Sequence, residues 1–554
     1  MSLTGRDVLL RSIGRQRRHV VLSSFMIAGH QAGEALVPFV IGVVIDQAVS
    51  GGTGRLAFWL GVLGAVYAGL SFNYRFGDRA AERASEQAAH ELRLDVTRRV
   101  LDHRGGAETG RLPGALVSIA TSDAARVGVV NLCVPAALAA CAGLLVTAAL
   151  LLSISLPLGL LVLLGTPPLL WLSHRLGKPL EDRSETEQEH AAAASGVAAD
   201  LVAGLRVLKG LGAEDAAIAK YGATSRTSLH ATIKAVRAEA AYNGMMLALN
   251  GAFLALIALV GGRLAAGGDI TVGQLISTAG LAQYLLTPLT TFSWVNGEFA
   301  QGRASAGRIA SVLSSPPAVT PGPMAVPEQV TGKITLRGVG GGPLREVDLD
   351  VAPGECLGVV ATDPAAATAL LACLGRAADP ERGTVELDGV PLTDLALEGL
   401  RGAVLVSAHD ARLFDGTVRE NLGPVTETVL AAAGADEVAS ALPDGLDSVL
   451  DERGRSLSGG QRQRVALARA LAADPPVLVA HDPTTAVDTV TEARIAEGVR
   501  RLRRDRTTIL VTTSPALLAA TDRVVLLHEG SITAQGAHAA LLSDNPIYRT
   551  AVLS

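Results

Sequence analysis

The 554-residue sequence predicts a multidomain chain, with an all-α domain of six membrane-spanning helices followed by a soluble α/β domain. Three observations carry this. Hydrophobic residues make up 49% of the chain and crowd before residue 300, which is too apolar for a soluble protein of this size. Residues 313–333, LSSPPAVTPGPMAVPEQVTGK, are Pro-rich and aperiodic, as a linker is. Beyond them, short β-rich runs alternate with helical ones, the pattern of an α/β domain with a largely parallel core sheet. A net charge of −5 gives no basic excess and excludes a nucleic-acid binder. The four cysteines (Cys133, Cys141, Cys356, Cys373) lack metal-ligand spacing and are expected to be buried, reduced small hydrophobes, with no disulfide or metal site.

The membrane part covers residues 1–312. Its opening segment places basic residues ahead of an apolar run, as a signal peptide does. The run is too long and lacks a small-residue cleavage site, so it is expected to stay as an anchor behind a short amphipathic helix. Six spans are expected at about 20–48, 56–78, 129–153, 156–177, 241–264 and 272–295, each near the ~20 residues a spanning helix needs. Spans three and four meet at a tight turn near Ser155-Leu156-Pro157. Arginines crowd the N-terminal segment (Arg6, Arg11, Arg15, Arg17, Arg18) and the long loop after span two (Arg75, Arg79, Arg83, Arg93, Arg98, Arg99, Arg104). The loop after span four is also long and charged, whereas those after spans one, three and five are short. Both termini and both long loops therefore belong in the cytoplasm. The long loops are Ala-, Glu- and Arg-rich, so they are expected to continue the helices out of the membrane. Each has a glycine-bearing interruption, at 105–127 and 204–222, where a short transverse helix touching another domain is expected.

In the soluble part, residues 334–554, strands are expected at ECLGVVA, AVLVSA, PVLVAH, TTILVTT and RVVLLHEG. LSGGQRQR, residues 457–464, opens a long helix-forming run. Ser458 offers a hydroxyl, Gly459 and Gly460 permit close backbone approach, and the helix N-terminus attracts an anion. About twenty residues later stands VLVAHDPTTAVD. In order and spacing these resemble the signature, Walker B and D-loop regions of ABC transporter nucleotide-binding domains. The six-span part with two long cytoplasmic loops is similar to the type I exporter fold, also called type IV. The resemblance therefore covers nearly the whole chain and implies a P-loop-type nucleotide-binding domain. In that family two such domains face each other head to tail. Each ATP, with Mg2+, lies between one domain's Walker A loop and the other's signature.

The resemblance also marks departures. The Walker A loop should follow GECLGVV as GxxxxGK[ST]. Here ATDPAAAT, residues 361–368, puts Ala361, Pro364 and Ala366 at glycine positions and Ala367 at the lysine position. Pro364 removes an N–H, the alanines add Cβ atoms, and the missing lysine removes the charge on the β- and γ-phosphates. Thr368 alone keeps a hydroxyl for magnesium. His409 stands at the Q-loop glutamine, His481 at the magnesium-binding aspartate and Thr513 at the H-loop histidine. Asp482 replaces the catalytic glutamate, one methylene shorter. Residues 334–348 offer no aromatic ring for adenine. The residues that would act across the dimer match the family: Leu457, Ser458, Gly459, Gly460, Gln461 and Asp488. Glu452, Arg453 and Gly454 match a segment that couples to the membrane half.

The pattern resembles the degenerate-site subunit of a heterodimeric ABC exporter. A partner half would carry the intact Walker A loop and the catalytic glutamate, and hold most of the ATP and Mg2+. This chain would supply its signature and half the pathway in a lipid bilayer, without ATPase activity alone. Two alternatives stand beside this reading: a regulatory membrane subunit without transport, and an exporter-fold importer of a small molecule such as a metal chelate. The Ala-, Gly- and Arg-rich composition points to a bacterial inner (plasma) membrane. No peptidase domain precedes span one, which disfavours a leader-processing exporter. Aromatic residues make up 3% of the chain, which disfavours a broad aromatic-drug pump and leaves amphipathic small molecules, peptides and lipids open. His30 and Glu34 in span one share a helical face at i, i+4. They read as a pair satisfied by neighbouring helices, ahead of a polar patch on a translocation cavity. Asn243 and Asn250 in span five are expected to bond between helices.

Overall fold

The computed structural model describes residues 3–50, 53–409, 412–451, 454 and 456–553, and falls into two units. The first comprises Met1–Thr97 and Gly114–Ser314, the second Arg98–Pro113 and Ser315–Ser554.

The first unit is helical. α1 (Gly5–Arg15) is the expected amphipathic helix, opened by a capping box between Thr4 and Asp7 and burying Val8 and Leu9. It is followed by α2 (Arg17–Val49), α3 (Thr53–Val100), α4 (Pro113–Ser118), a π-turn at Ile119–Asp123 and α5 (Ala124–Ile154). α6 (Leu156–Ala203), α7 (Leu205–Leu211), α8 (Glu214–Ala266), α9 (Val272–Tyr284) and α10 (Leu286–Leu313) complete it. Among the described residues, four stretches are long and apolar enough to cross a bilayer: Arg17–Val49, Thr53–Val100, Pro113–Ile154 and Glu214–Ala266. α6 adds an apolar segment at Leu156–Leu169. The stretch expected as a sixth span is interrupted at Leu285, because Pro288 has no N–H for the carbonyl of Tyr284.

The long helices do continue past the apolar runs. α3 buries Ala80, Ala84, Ala88, Leu92 and Val96, a spacing of four that keeps one small-residue stripe on the core. Ser155, extended at φ −160, makes the tight turn between α5 and α6. In the second long loop, α7 bends 67° away from Thr186–Ala203, which is the short transverse helix expected there. The first long loop differs. Residues 101–112 form turns and no helix, because Gly105, Gly106 and Gly110 take left-handed φ of 64, 89 and 71. α2 and α9 meet at Gly42 and Gly273, where a Cβ on Gly42 would stand 2.3 Å from the Gly273 carbonyl oxygen. Asp46 fastens the same pair, accepting from Thr271 Oγ1 and the Gly273 N–H.

The second unit is built on a ten-stranded sheet. Its strands are β1 (Ile334–Gly341), β2 (Leu344–Val351), β3 (Cys356–Ala361), β4 (Arg382–Leu387), β5 (Val390–Pro391) and β6 (Val404–Ser407). β7 (Gly416–Thr417) and β8 (Val449–Leu450) pair separately. β9 (Val477–His481), β10 (Thr507–Val511), β11 (Arg523–His528) and β12 (Ser531–Gly536) return to the main sheet. The order is β5-β4-β1-β2-β12-β11-β3-β10-β9-β6. β6, β9, β10, β3 and β11 run parallel, as the sequence pattern predicts, while β1, β2, β4 and β5 form an antiparallel flank. β10 is buried throughout: Ile509, Leu510 and Val511 are apolar, and Thr507 Oγ1 donates to the Gly332 carbonyl.

Helices α11 (Pro364–Leu374) and α12 (Leu397–Ala403) flank the sheet. α13 (Val418–Leu422), α14 (Glu427–Ala433), α15 (Ala435–Ala441) and α16 (Gly459–Ala472) form a helical lobe, and α17 (Thr489–Leu502) follows β9. One core joins Leu357, Val359, Leu370, Val479 and Ile509 under α11. A second joins Val438, Val465, Leu471 and Ile495 in the lobe.

Candidate nucleotide site

Open α/β sheets bind ligands at the carboxyl ends of their strands, and β3, β9 and β10 end here on the expected residues. β3 stops at Ala361 and α11 starts at Pro364. Between them Asp363 caps α11, its Oδ1 accepting the Ala365 N–H at 2.9 Å. Pro364 suits the first helical position, where no N–H is needed. A carboxylate thus occupies the helix end that would face phosphate. Ala366 and Ala367 are buried in the core beneath the sheet, so the lysine position is packed against apolar side chains. Thr368 Oγ1 donates back to the Pro364 carbonyl at 2.9 Å.

His409 sits in the turn after β6, its ring centroid 5.7 Å from that of His481 at the end of β9. Asp482 has φ +45, the left-handed region. Its Oδ1 is buried without a partner among the described residues, and its Oδ2 lies 3.7 Å from His481 Nε2. Burial pushes the His481 imidazole below its usual range; Asp482 pulls it up and His409 pushes it down. Thr513 is exposed just beyond β10. Among the described residues no group of three or more His, Cys, Asp or Glu is placed to hold a metal ion. An imidazole at the magnesium position offers nitrogen to a cation that requires oxygen. ATP with magnesium does not fit this chain's Walker A side.

The signature side is intact. Ser458 caps α16 and forms a capping box with Gln461: Ser458 Oγ accepts the Gln461 N–H at 3.2 Å, and Gln461 Oε1 accepts the Ser458 N–H at 2.8 Å. Gly459 and Gly460 open the first turn, ahead of the intrahelical ladder. Leu457 is buried, and its carbonyl accepts from Arg462 at 2.7 Å. Gln463 ties α16 to the loop before α17, donating to Thr485 Oγ1 at 2.7 Å and accepting the Ala486 N–H at 2.8 Å. Asp488 caps α17, and the Thr491 N–H it accepts holds its carboxyl below the usual range. Gly454 has φ +65, while Glu452 and Arg453 lie outside the described residues.

The structure adds two residues to those the sequence singles out, Asp363 and Gln463. Asp-Pro before a helix is a readable N-cap signal. Gln463 carries no such signal, since its partner lies 22 residues away. In the membrane unit His30 Nδ1 lies 3.0 Å from the Leu70 carbonyl oxygen, so a neighbouring helix does satisfy it. Glu34 Oε2 lies 3.9 Å from His30 Nε2. Asn243 and Asn250 make no side-chain hydrogen bond among the described residues; Asn243 is exposed, on a face that the helices of this unit leave open.

Comparison with known proteins agrees with this architecture. The chain matches the ABC transporter transmembrane region over residues 20–289 and the ABC transporter domain over residues 344–485. It belongs to the ABC transporter family, as a multi-pass membrane protein whose membrane region is fused to a nucleotide-binding domain. Among particular relatives, it is 30% identical to an ATP-dependent lipid A-core flippase of Chromobacterium violaceum, over 72% of this chain and 71% of that protein. It is 31% identical to a multidrug efflux ATP-binding/permease protein of Mycobacterium tuberculosis, over 97% of this chain. The chain spans 46% of that protein's length. Its fold is similar to that of a bacterial Atm1-family ABC exporter with ATP bound, with a TM-score of 0.74, 23% identity and 97% of each chain covered.

Proposed function

We propose that this chain is the degenerate half of a heterodimeric ABC exporter in a bacterial inner membrane, with its nucleotide-binding unit in the cytoplasm. Its signature completes an ATP site whose Walker A loop, magnesium and catalytic glutamate belong to a partner half. One contrast carries the reading. The N-terminus of α11, which would bind phosphate from this chain, is filled by the Asp363 carboxylate. The N-terminus of α16, which would meet phosphate from a partner, carries the neutral pair Ser458 and Gln461. A helix N-terminus favours negative charge, so the first is occupied and the second is free to receive an anion. Asp482, in a strained backbone with one oxygen turned inward, is poorly placed to orient water.

Two further observations support it. The tip around α7 exposes Val202, Leu205, Val207, Leu211 and Ile218, an apolar surface suited to docking on a nucleotide-binding unit. The chain spans 46% of its mycobacterial relative, which leaves room in that one polypeptide for a second half. Those relatives are named for lipid A-core and for multiple drugs, and we assign this transporter an amphipathic substrate.

The test is ATP hydrolysis in nanodiscs by the chain alone and by the chain with its partner half. Hydrolysis is expected only in the pair, and Gly459→Asp here should lower it by about a hundredfold, since it sets a carboxylate against the γ-phosphate. Robust hydrolysis by the chain alone would overturn the reading.

A further inference from the structure

We infer that His409 and His481 form a seat for a divalent transition-metal ion of the zinc class, at the place where the family holds magnesium. The inference goes beyond the heterodimer reading and needs no partner half.

The sheet brings the two imidazoles together. β6 and β9 pair in parallel with Ser407 beside Ala480, so His481 follows one residue past that pair and His409 two. Neighbouring strands lie about 4.8 Å apart, so the residues that leave them at their carboxyl ends share one rim. The ring centroids are 5.7 Å apart, and the ring planes are tilted by 57°. With zinc–nitrogen bonds of ~2.1 Å, two imidazoles on one tetrahedral ion have their centroids about 5–6 Å apart. Neither ring has a hydrogen-bond partner among the described residues, so the nitrogens are available to a ligand.

Asp482 supplies a second, independent observation. Its Oδ2 lies 3.7 Å from His481 Nε2, and its Oδ1 is buried without a partner among the described residues. No arginine or lysine among them pairs with this carboxylate. A cation held by the two rings balances its charge. An anion would be repelled by it, and magnesium would reject the nitrogens. Imidazole suits zinc, copper and nickel instead. Among the described residues no third side chain closes the site, so water takes the remaining positions. The proton on each ring does not decide the matter, because a metal displaces it from whichever nitrogen it takes. The turn that carries His409 leads from the sheet into the helical lobe, and β9 lies in the sheet. A metal on both histidines would therefore fasten the start of that connection to the sheet.

The experiment titrates Zn2+ into the full chain in nanodiscs, purified without a polyhistidine tag, and follows the heat by calorimetry. One equivalent is expected to bind with a Kd on the order of 10 μM and to resist a large excess of Mg2+. His409→Ala and His481→Ala should each weaken binding by about tenfold or more. Asp482→Asn, which keeps the shape and removes the charge, should weaken it by about tenfold. His409→Cys, which offers a thiolate in place of the imidazole, should restore binding and so separates ligation from misfolding. Bound Zn2+ should also slow amide hydrogen exchange in residues 404–409 together with residues 477–482. Three results would overturn the site: no saturable binding, binding that survives when both histidines are changed to alanine, or slowed exchange confined to other segments.

Discussion

The two signature glycines are unequal, although the sequence writes them as a pair. A Cβ on Gly459 would meet only the Ala486 methyl at 3.4 Å, an ordinary contact. A Cβ on Gly460 would stand 2.4 Å from the Ala486 backbone oxygen, in the loop that Gln463 ties to α16. Backbone cannot swing aside as a long side chain can, so Gly460→Ala must push the helix and the loop apart. Gly460→Ala is therefore expected to destabilise the nucleotide-binding unit by about 1–3 kcal/mol and to impair hydrolysis by the pair. Gly459→Ala should leave its melting temperature unchanged. Differential scanning calorimetry of the two variants checks this, and equal melting temperatures would refute the packing argument. The contrast also makes Gly459 the cleaner position for probing the interface, because a charge there alters what the partner's nucleotide meets without disturbing this chain's own fold.

At the scale of the element, α11 and α16 have the same local construction and opposite electrostatics. Both begin at a capped N-terminus, one with a carboxylate and one with a hydroxyl. Restoring the family's loop through Ala361→Gly, Pro364→Gly, Ala366→Gly and Ala367→Lys would therefore leave an anion on the phosphate seat. With those four changes made, adding Asp363→Ser should raise affinity for a fluorescent ATP analogue by about tenfold, because it replaces a repelling cap with a neutral one. An unchanged affinity on adding it would show that the cap is incidental. The identities of both loops are legible in the sequence, since glycines and lysines are either present or absent. The use of Asp363 is also legible, because Asp-Pro marks a helix start. The way α16 is fastened is not: Gln463 finds Thr485 and Ala486 only after β9 has folded into the sheet. Helix extent is legible too: apolar run length locates α2 and α5, and the Ala-, Glu- and Arg-rich run after span two foretells that α3 continues to Val100, where Ala84, Ala88 and Val96 face the core. Within the first interruption, 105–127, three left-handed glycines hold residues 105–112 in turns, and helix begins only at Pro113 with α4.

Across the whole molecule, the chain enters the nucleotide-binding unit twice, once at Arg98–Pro113 and finally at Ser315. Within that unit the first visit holds the second in place. Arg99 donates to the carbonyls of Gly105, Ser315 and Pro316, and the Arg104 carbonyl accepts the N–H groups of Ala318 and Val319. Gly106 makes the approach possible, because a Cβ there would lie 2.2 Å from the Pro316 carbonyl oxygen. Further along, the buried guanidinium of Arg376 holds the Thr320 carbonyl at 2.6 Å, so the linker is pinned again there. A Pro-rich segment that reads from sequence as a linker is thus docked well beyond Thr320: the Gly322 and Met324 N–H groups donate to the Leu395 and Asp394 carbonyls, and Thr331 donates to Asp388. Hydrogen bonds to a charged donor contribute about 1.5–3 kcal/mol each, and local opening draws on that stabilisation. Arg99→Ala should lower the cost of opening by about 2 kcal/mol and speed protease cleavage between residues 313 and 333 by roughly thirtyfold. Gly106→Val should act in the same direction through steric displacement, with Arg376 still in place. Cleavage rates read by mass spectrometry decide the matter. If both variants are cut no faster than the parent, the clasp does not hold the linker, and Arg376 with the Gly322, Met324 and Thr331 bonds would have to account for its order.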